Sequence, residues 1–343
     1  MTIRHFRSDR NRLLASLYSR IPTLLGGLDP VHPIDNGRLR AVLIALIPAA
    51  ALTACGAGTT APAPPPAGPN SSLTSLQSSE TFPTVSAVMA ADLSASGTTS
   101  NVSASQSALS STSTIEYDAV SDAFKIDMHT GVANFTQTFP KDSVSAADTT
   151  SSYRTYQVTR SDNTVDELVL LIPGESTQKL SYVTYGVWNS TAGSARAMTL
   201  GTFVFGVQTP AGDMPTTGSA TYTGLTAGTL NLSDTLFNVA GDMSMAVNFG
   251  TGAVTGAFTN MAREDLQSGA VSSWRDFTTT GNITSGTNTF AGTAASNDTA
   301  LTGTFNGAFF GPVSNGTPPE IGGGWKLSGA GGETAVGAFV GKR

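Results

Sequence analysis

The sequence predicts an all-β protein: a β-rich domain over residues 80–207, followed by a soluble eight-stranded antiparallel β-barrel over residues 213–343. Three observations carry this reading. Only 12% of the 343 residues are charged, yet mean hydropathy is close to zero. Ser, Thr and Gly stand where charge is missing, which suits short strands and polar turns rather than helices laced with Glu/Lys pairs. From about Thr81 onward, apolar and polar residues alternate with period two, and turn residues separate the runs. Eight such runs fit after residue 213, and eight antiparallel strands close most simply into an up-and-down barrel that leaves no edge exposed. A β-sandwich of the same strand count is the less specific alternative.

The chain begins with an address. Residues 1–54 carry seven Arg and three Asp, net +4, whereas residues 55–343 carry 11 Lys+Arg and 21 Asp+Glu, net −10. Arg38-Leu39-Arg40 precedes a twelve-residue apolar run, Ala41 to Leu52. Spanning a bilayer takes roughly 20 such residues, so this run has the length of the apolar core of a secretory signal, with the Arg pair as its basic flank. The stretch before Arg38 is longer than a signal needs, and a start codon nearer Val31 fits better. Leu52-Thr53-Ala54-Cys55 then resembles the lipobox of bacterial lipoproteins. The resemblance implies that residues 1–54 are removed and that Cys55, the only cysteine, is acylated as the mature N-terminus. Each buried methylene of the acyl chains adds about 0.8 kcal/mol of membrane affinity. Gly56 follows where an Asp would signal inner-membrane retention, so the expected address is the outer membrane. Residues 55–79 are rich in Pro, Ala and Ser and read as a tether. Removing residues 1–73 is expected to leave a folded product that needs no detergent.

Within 80–207, Tyr153–Arg160 and Thr164–Ile172 flank Ser161-Asp162-Asn163 as a hairpin. Lys179–Trp188 and Met198–Phe205 continue the strand pattern. Ser94–Ser113, dominated by Ser, Thr and Ala, is the least ordered-looking stretch. The eight barrel strands are expected near 217–224, 236–248, 252–259, 272–284, 287–293, 300–311, 321–329 and 334–341. Glycines recur inside them, among them Gly303, Gly307, Gly322 to Gly324, Gly337 and Gly341, where curvature would crowd side chains. Polar segments such as Phe277–Asn282 lack the outward apolar band of a membrane-spanning barrel.

The closing residues carry a family resemblance. Phe309-Phe310-Gly311-Pro312, Pro319-Glu320-Ile321-Gly322-Gly323-Gly324-Trp325 and Ala335–Arg343 together resemble the C-terminal barrel of the transferrin-binding protein B surface lipoproteins, and Met214–Gly224 resembles its opening strand. The resemblance implies a lipid anchor, a tether, a handle-like domain over 80–207 and a barrel over 213–343. The chain has room for one such lobe, and none of the family's variable partner-contacting loops has a match here.

The chemical motifs weigh little beside this. Ser176-Thr177-Gln178-Lys179 and Ser161-Asp162-Asn163 match two penicillin-interacting elements in reversed order, with no third element and no helix to present the serine. Gly341-Lys342-Arg343 is no phosphate loop, because Val336 stands where its first Gly is needed. His129 is the single candidate base beyond the signal and reads as a solvated strand-end residue. Asp166-Glu167 and Glu264-Asp265 are adjacent acids whose side chains point to opposite faces of a strand, so solvated charge is the better reading. Among Tyr182, Tyr185, Trp188, Trp274, Trp325, Phe309 and Phe310, most should be core. No metal or cofactor site emerges, and a net −10 disfavours nucleic acid. The expected function is non-catalytic: a surface-exposed outer-membrane lipoprotein that binds a protein or iron-bearing solute for uptake. Its expected partners are the membrane through Cys55, an iron-carrier or haem protein, and a TonB-dependent transporter. The alternative is a structural or adhesive lipoprotein with no transported ligand. The ligand-contacting residues are not legible.

Overall fold

The structure is a computed structural model that describes residues 69–94, 97–176, 178–191 and 197–343, and two antiparallel sheets hold nearly all of its regular elements. Cys55, its signal and most of the tether lie outside the described residues.

The first sheet contains β1 (Glu80–Leu93), β2 (Thr99–Asp118), β3 (Ala123–His129), β4 (Asn134–Phe139), β5 (Tyr153–Thr159), β6 (Val165–Leu171), β7 (Val183–Thr191) and β8 (Ala197–Gly206). Their spatial order, β4-β3-β2-β1-β8-β7-β6-β5, joins two meanders through the pairing of β1 with β8. Every strand sends a side chain into one aromatic core, including Phe82, Ile115, Phe124, Phe135, Tyr156, Leu168, Trp188 and Phe203. The sheet therefore rolls around that core. Its edge strands β4 and β5 do not pair; Tyr156 on β5 instead forms one bridge with Val144 in the connection that follows β4.

The stretch from Ser94 to Ser113 departs from expectation, because most of it lies in the 20-residue strand β2. Its polarity has a packing cause. β2 pairs with β1 along its length and rests on the second domain, where Thr304 donates to Gln106 Oε1 (2.9 Å) and Lys326 Nζ donates to the Ala104 carbonyl (2.7 Å). A strand that makes polar contacts on one side and faces water on the other needs few apolar residues.

The second sheet is a closed barrel of β9 (Ser219–Leu232), β10 (Thr235–Asn248), β11 (Ala253–Asp265), β13 (Phe277–Ile283), β14 (Thr289–Ser296), β15 (Leu301–Phe310), β16 (Glu320–Gly329) and β17 (Thr334–Lys342), with the short β12 (Val271–Ser273) added beside β11. β9 pairs with β17, and β10 pairs with both β9 and β11, which closes the ring of eight. The single run expected over 272–284 divides into β12 and β13. Between them the Trp274 amide donates to the Met261 carbonyl (2.7 Å), and Asp276 Oδ1 accepts the Met261 amide (3.0 Å).

The barrel interior is filled. Tyr222, Phe258, Phe277, Phe290, Phe305, Trp325 and Phe339 are all buried in it, while alternate positions such as Thr221, Thr278, Thr280 and Thr302 face water. Glycine makes room for these rings. A Cβ on Gly337 would lie 2.4 Å from Trp325 Cζ2, and one on Gly323 would lie 2.5 Å from Phe339 Cζ. The polarity, apolar within and hydroxyl-rich without, is opposite to that of a barrel that spans a bilayer.

The roll packs on the barrel's outer wall. Val85, Val183 and Val204 meet Leu225, Ala338 and Val340 in one shared apolar seam.

Candidate functional site

The seam is locked by one carboxylate. Glu320 opens β16 and is 1% exposed. Its oxygens accept the backbone amides of Ser181 (2.7 Å), Tyr182 (2.7 Å) and Val183 (2.9 Å) from the roll. Burial holds the Glu320 carboxyl above its ordinary range, opposed only in part by the three amide donors and nearby Lys342. The same contact explains a second departure from expectation: the run expected from Lys179 becomes a strand only at Val183, because amides 181–183 turn towards Glu320 rather than to a neighbouring strand. Sequence reasoning had singled out Glu320 as part of a closing motif; its role as a clasp depends on a partner 137 to 139 residues away.

A pocket of about 320 Å³ lies at one end of the roll. Leu73–Leu76 roof it, in the stretch before β1 that the sequence had assigned to the tether. That stretch is folded around Asn70, whose Oδ1 accepts the amides of Gln77 (2.7 Å) and Ser78 (3.1 Å) and whose Nδ2 donates to the Ser78 carbonyl (2.8 Å). Leu73 is buried, and its amide donates to the Ser181 carbonyl (2.8 Å). Phe124, Leu170 and Phe205 give the pocket apolar walls, and Tyr117, Asp122 and Arg154 give it a polar rim. Lys141 Nζ sits 2.8 Å from Asp122, and the Tyr117 hydroxyl donates to Asp122 (3.1 Å). Hydrogen bonding to Lys141 holds the Asp122 carboxyl below its ordinary range despite partial burial, and burial followed by the bond to Asp122 pushes the Tyr117 phenol up. Arg154 is exposed, interacts with the buried Tyr156 hydroxyl, and forms no ion pair among the described residues. A second, shallower depression at the barrel end includes Trp274 and Arg275, but Arg275 is already engaged by Asp298 and by Glu333 (3.6 Å).

The other singled-out residues do not converge. His129 ends β3 with its side chain 52% exposed and Nε2 3.2 Å from Asp127 Oδ1. The Ser113 hydroxyl near it bonds the His129 backbone, not the imidazole. Asp166 and Glu167 do point to opposite faces, but the expected solvation is corrected: both are buried. Arg160 pairs with Asp166, and Gln157 (2.8 Å) and Asn189 (3.0 Å) donate to Glu167, whose carboxyl burial pushes up to about 7. Their amide and guanidinium partners lie far along the chain or across a hairpin, which a reading of adjacent acids does not reveal. Glu264 is buried as well, while Asp265 is half-exposed and caps a turn by accepting the amides of Gln267 and Ser268 (both 2.8 Å). Ser161-Asp162-Asn163 forms the β5–β6 turn, with Asn163 at φ 64°. Ser176 and Lys179 also occupy a turn, closed by the Lys179 amide on the Ser176 carbonyl (2.9 Å). Tyr185, Trp188, Trp325, Phe309 and Phe310 are core, and Tyr182 and Trp274 are half-buried at the seam and barrel end. No group of three or more His, Cys, Asp or Glu able to hold a metal occurs among the described residues.

A closed, ring-filled antiparallel barrel with a rolled sheet clasped to its wall defines a class of small two-domain β proteins. Within that class, residues 214–343 match the model of a family described as the C-lobe and N-lobe β-barrels of transferrin-binding protein B. The C-terminal domain is thus a transferrin-binding protein B-like barrel. Solved structures similar to the chain include intact Ap-TbpB with its N and C lobes, at 12% identity over 78% of this chain and 77% of that one, TM-score 0.41. They also include isotype 1 transferrin-binding protein B of serogroup B Neisseria meningitidis, at 14% identity over 76% of this chain and 63% of that one, TM-score 0.39. A mutant form of the Haemophilus parasuis Hp5 protein is 12% identical over 81% of this chain and 76% of its own, TM-score 0.42. No curated protein matches the chain.

Proposed function

We propose that this chain is a surface-exposed outer-membrane lipoprotein, anchored through Cys55, that captures a protein or iron-bearing solute and passes it to a TonB-dependent transporter without catalysis. The observation that carries the reading is the family match of the barrel over 214–343. The packing supports where capture would occur. Aromatic side chains fill the barrel lumen, so a partner is met by loops and outer surface. Among the described residues, Val120 and Val271 are the exposed large hydrophobics, so the contact is polar rather than a broad apolar patch. A polar contact to residues 55–343, which carry net −10, weakens as salt rises.

The test is capture by the purified protein from a panel of iron-loaded transferrin, haem proteins and ferric chelates, at low and high ionic strength. The reading expects saturable binding of one of them, weakened by salt, with no turnover of bound material. Binding of none would favour the structural or adhesive alternative, and steady turnover of a glycan or ester would contradict both.

A further inference from the structure

We propose that the open end of the roll is a binding site for a small monocarboxylate with an apolar body. The site is built from three contributions. Its volume, about 320 Å³, lies at the low end of the range for small-molecule sites. Its depth is apolar, with Phe124, Leu170 and Phe205 offering surface that gains by excluding water. Its rim carries a charge pattern that selects the headgroup. Asp122 is already satisfied by Lys141 and Tyr117, so it neither needs a cationic ligand nor strongly repels an anionic one. Arg154, whose charge is felt by Asp122 but which makes no ion pair with it, is left with its guanidinium exposed at the rim beside the Tyr156 hydroxyl. A planar guanidinium presents paired donors that match a carboxylate edge. A ligand with its carboxylate on Arg154 and its body against Leu76 and Phe205 would satisfy both halves of the site.

This inference is independent of macromolecular capture, because Arg154 and Tyr156 belong to the inner face of the roll and the barrel packs on the outer one. The experiment is isothermal titration of the full-length protein with 2-naphthoate and octanoate, with 2-naphthylmethanol as the neutral counterpart of the first. At least one carboxylate should bind saturably at one site and more tightly than the alcohol. Arg154→Gln, an exposed position, should weaken the carboxylate by about tenfold and leave the alcohol unchanged. Lys141→Gln should also weaken the carboxylate, because it frees the charge of Asp122 at the rim. Equal affinity in the parent and in Arg154→Gln, or no saturable binding of either carboxylate at millimolar concentration, would overturn the proposal.

Discussion

Glu320 and Glu167 are both buried carboxylates that burial pushes up, and each is tested by what its partners lose. Glu320 satisfies three amides that no other group reaches, so Glu320→Ala should cost roughly 3 kcal/mol or more by stranding buried donors. Glu320→Gln, which keeps one acceptor oxygen, should fall between that variant and the parent. Equal denaturation midpoints for the alanine variant and the parent would show that the clasp contributes nothing. Glu167 has a folded-state pKa of about 7, raised by burial above the unfolded value near 4.5. The folded state therefore holds the proton more tightly, so stability is greatest below the unfolded pKa and declines as pH rises from about 4.5 to 7. Glu167→Gln should remove its share of this decline, raising stability above pH 7 by up to about 3 kcal/mol relative to the parent, with little change at pH 4.5. Thermal melts across that range check it, and parallel pH profiles for the two proteins would refute it. Neither role was legible in the sequence. Adjacent acids on opposite faces of a strand read as solvated charge, and their burial depends on partners that only the fold brings near.

The strands themselves were legible where alternation is strict. Each barrel strand expected from the sequence overlaps an observed one; an apolar lumen and a wet exterior impose period two on strands such as β13, whereas β16 and β17, covered outside by the roll, are buried on both faces. The glycines were legible for the same reason, since a curved wall packed with rings must leave some inward positions empty. Gly337→Ala should cost about 1–3 kcal/mol, because the added methyl meets Trp325 at 2.4 Å. An unchanged melting temperature would mean that the ring moves aside freely. The misreadings at β2 and ahead of β1 share a cause: both segments owe their order to polar contacts rather than alternation. Residues 70–78 are held by Asn70 and by buried Leu73. A product that starts at residue 74 should accordingly fold but melt lower than one that starts at 69, by the equivalent of about 2 kcal/mol for the lost leucine burial. Identical melts would return those residues to the tether.

The roll and the barrel share the apolar seam, the Glu320 clasp and the Lys326 contact, so the molecule should unfold in one calorimetric transition. Glu320→Ala is the variant expected to split it, and two transitions in the parent would contradict a shared core. The all-β class and the eight-stranded barrel were legible in the sequence, because alternation and the closing motif both report on a whole domain. The pocket was not, since its walls come from β2, β3, β5, β6 and β8 together with the segment before β1. The most direct test is retention of labelled iron carriers by intact cells that express the parent chain or its Cys55→Ala variant. The proposed function predicts that cells with the parent retain a carrier in a protease-sensitive manner, and that cells with the variant, left uncut and undisplayed, do not. Equal retention by both, or none by either, would contradict it.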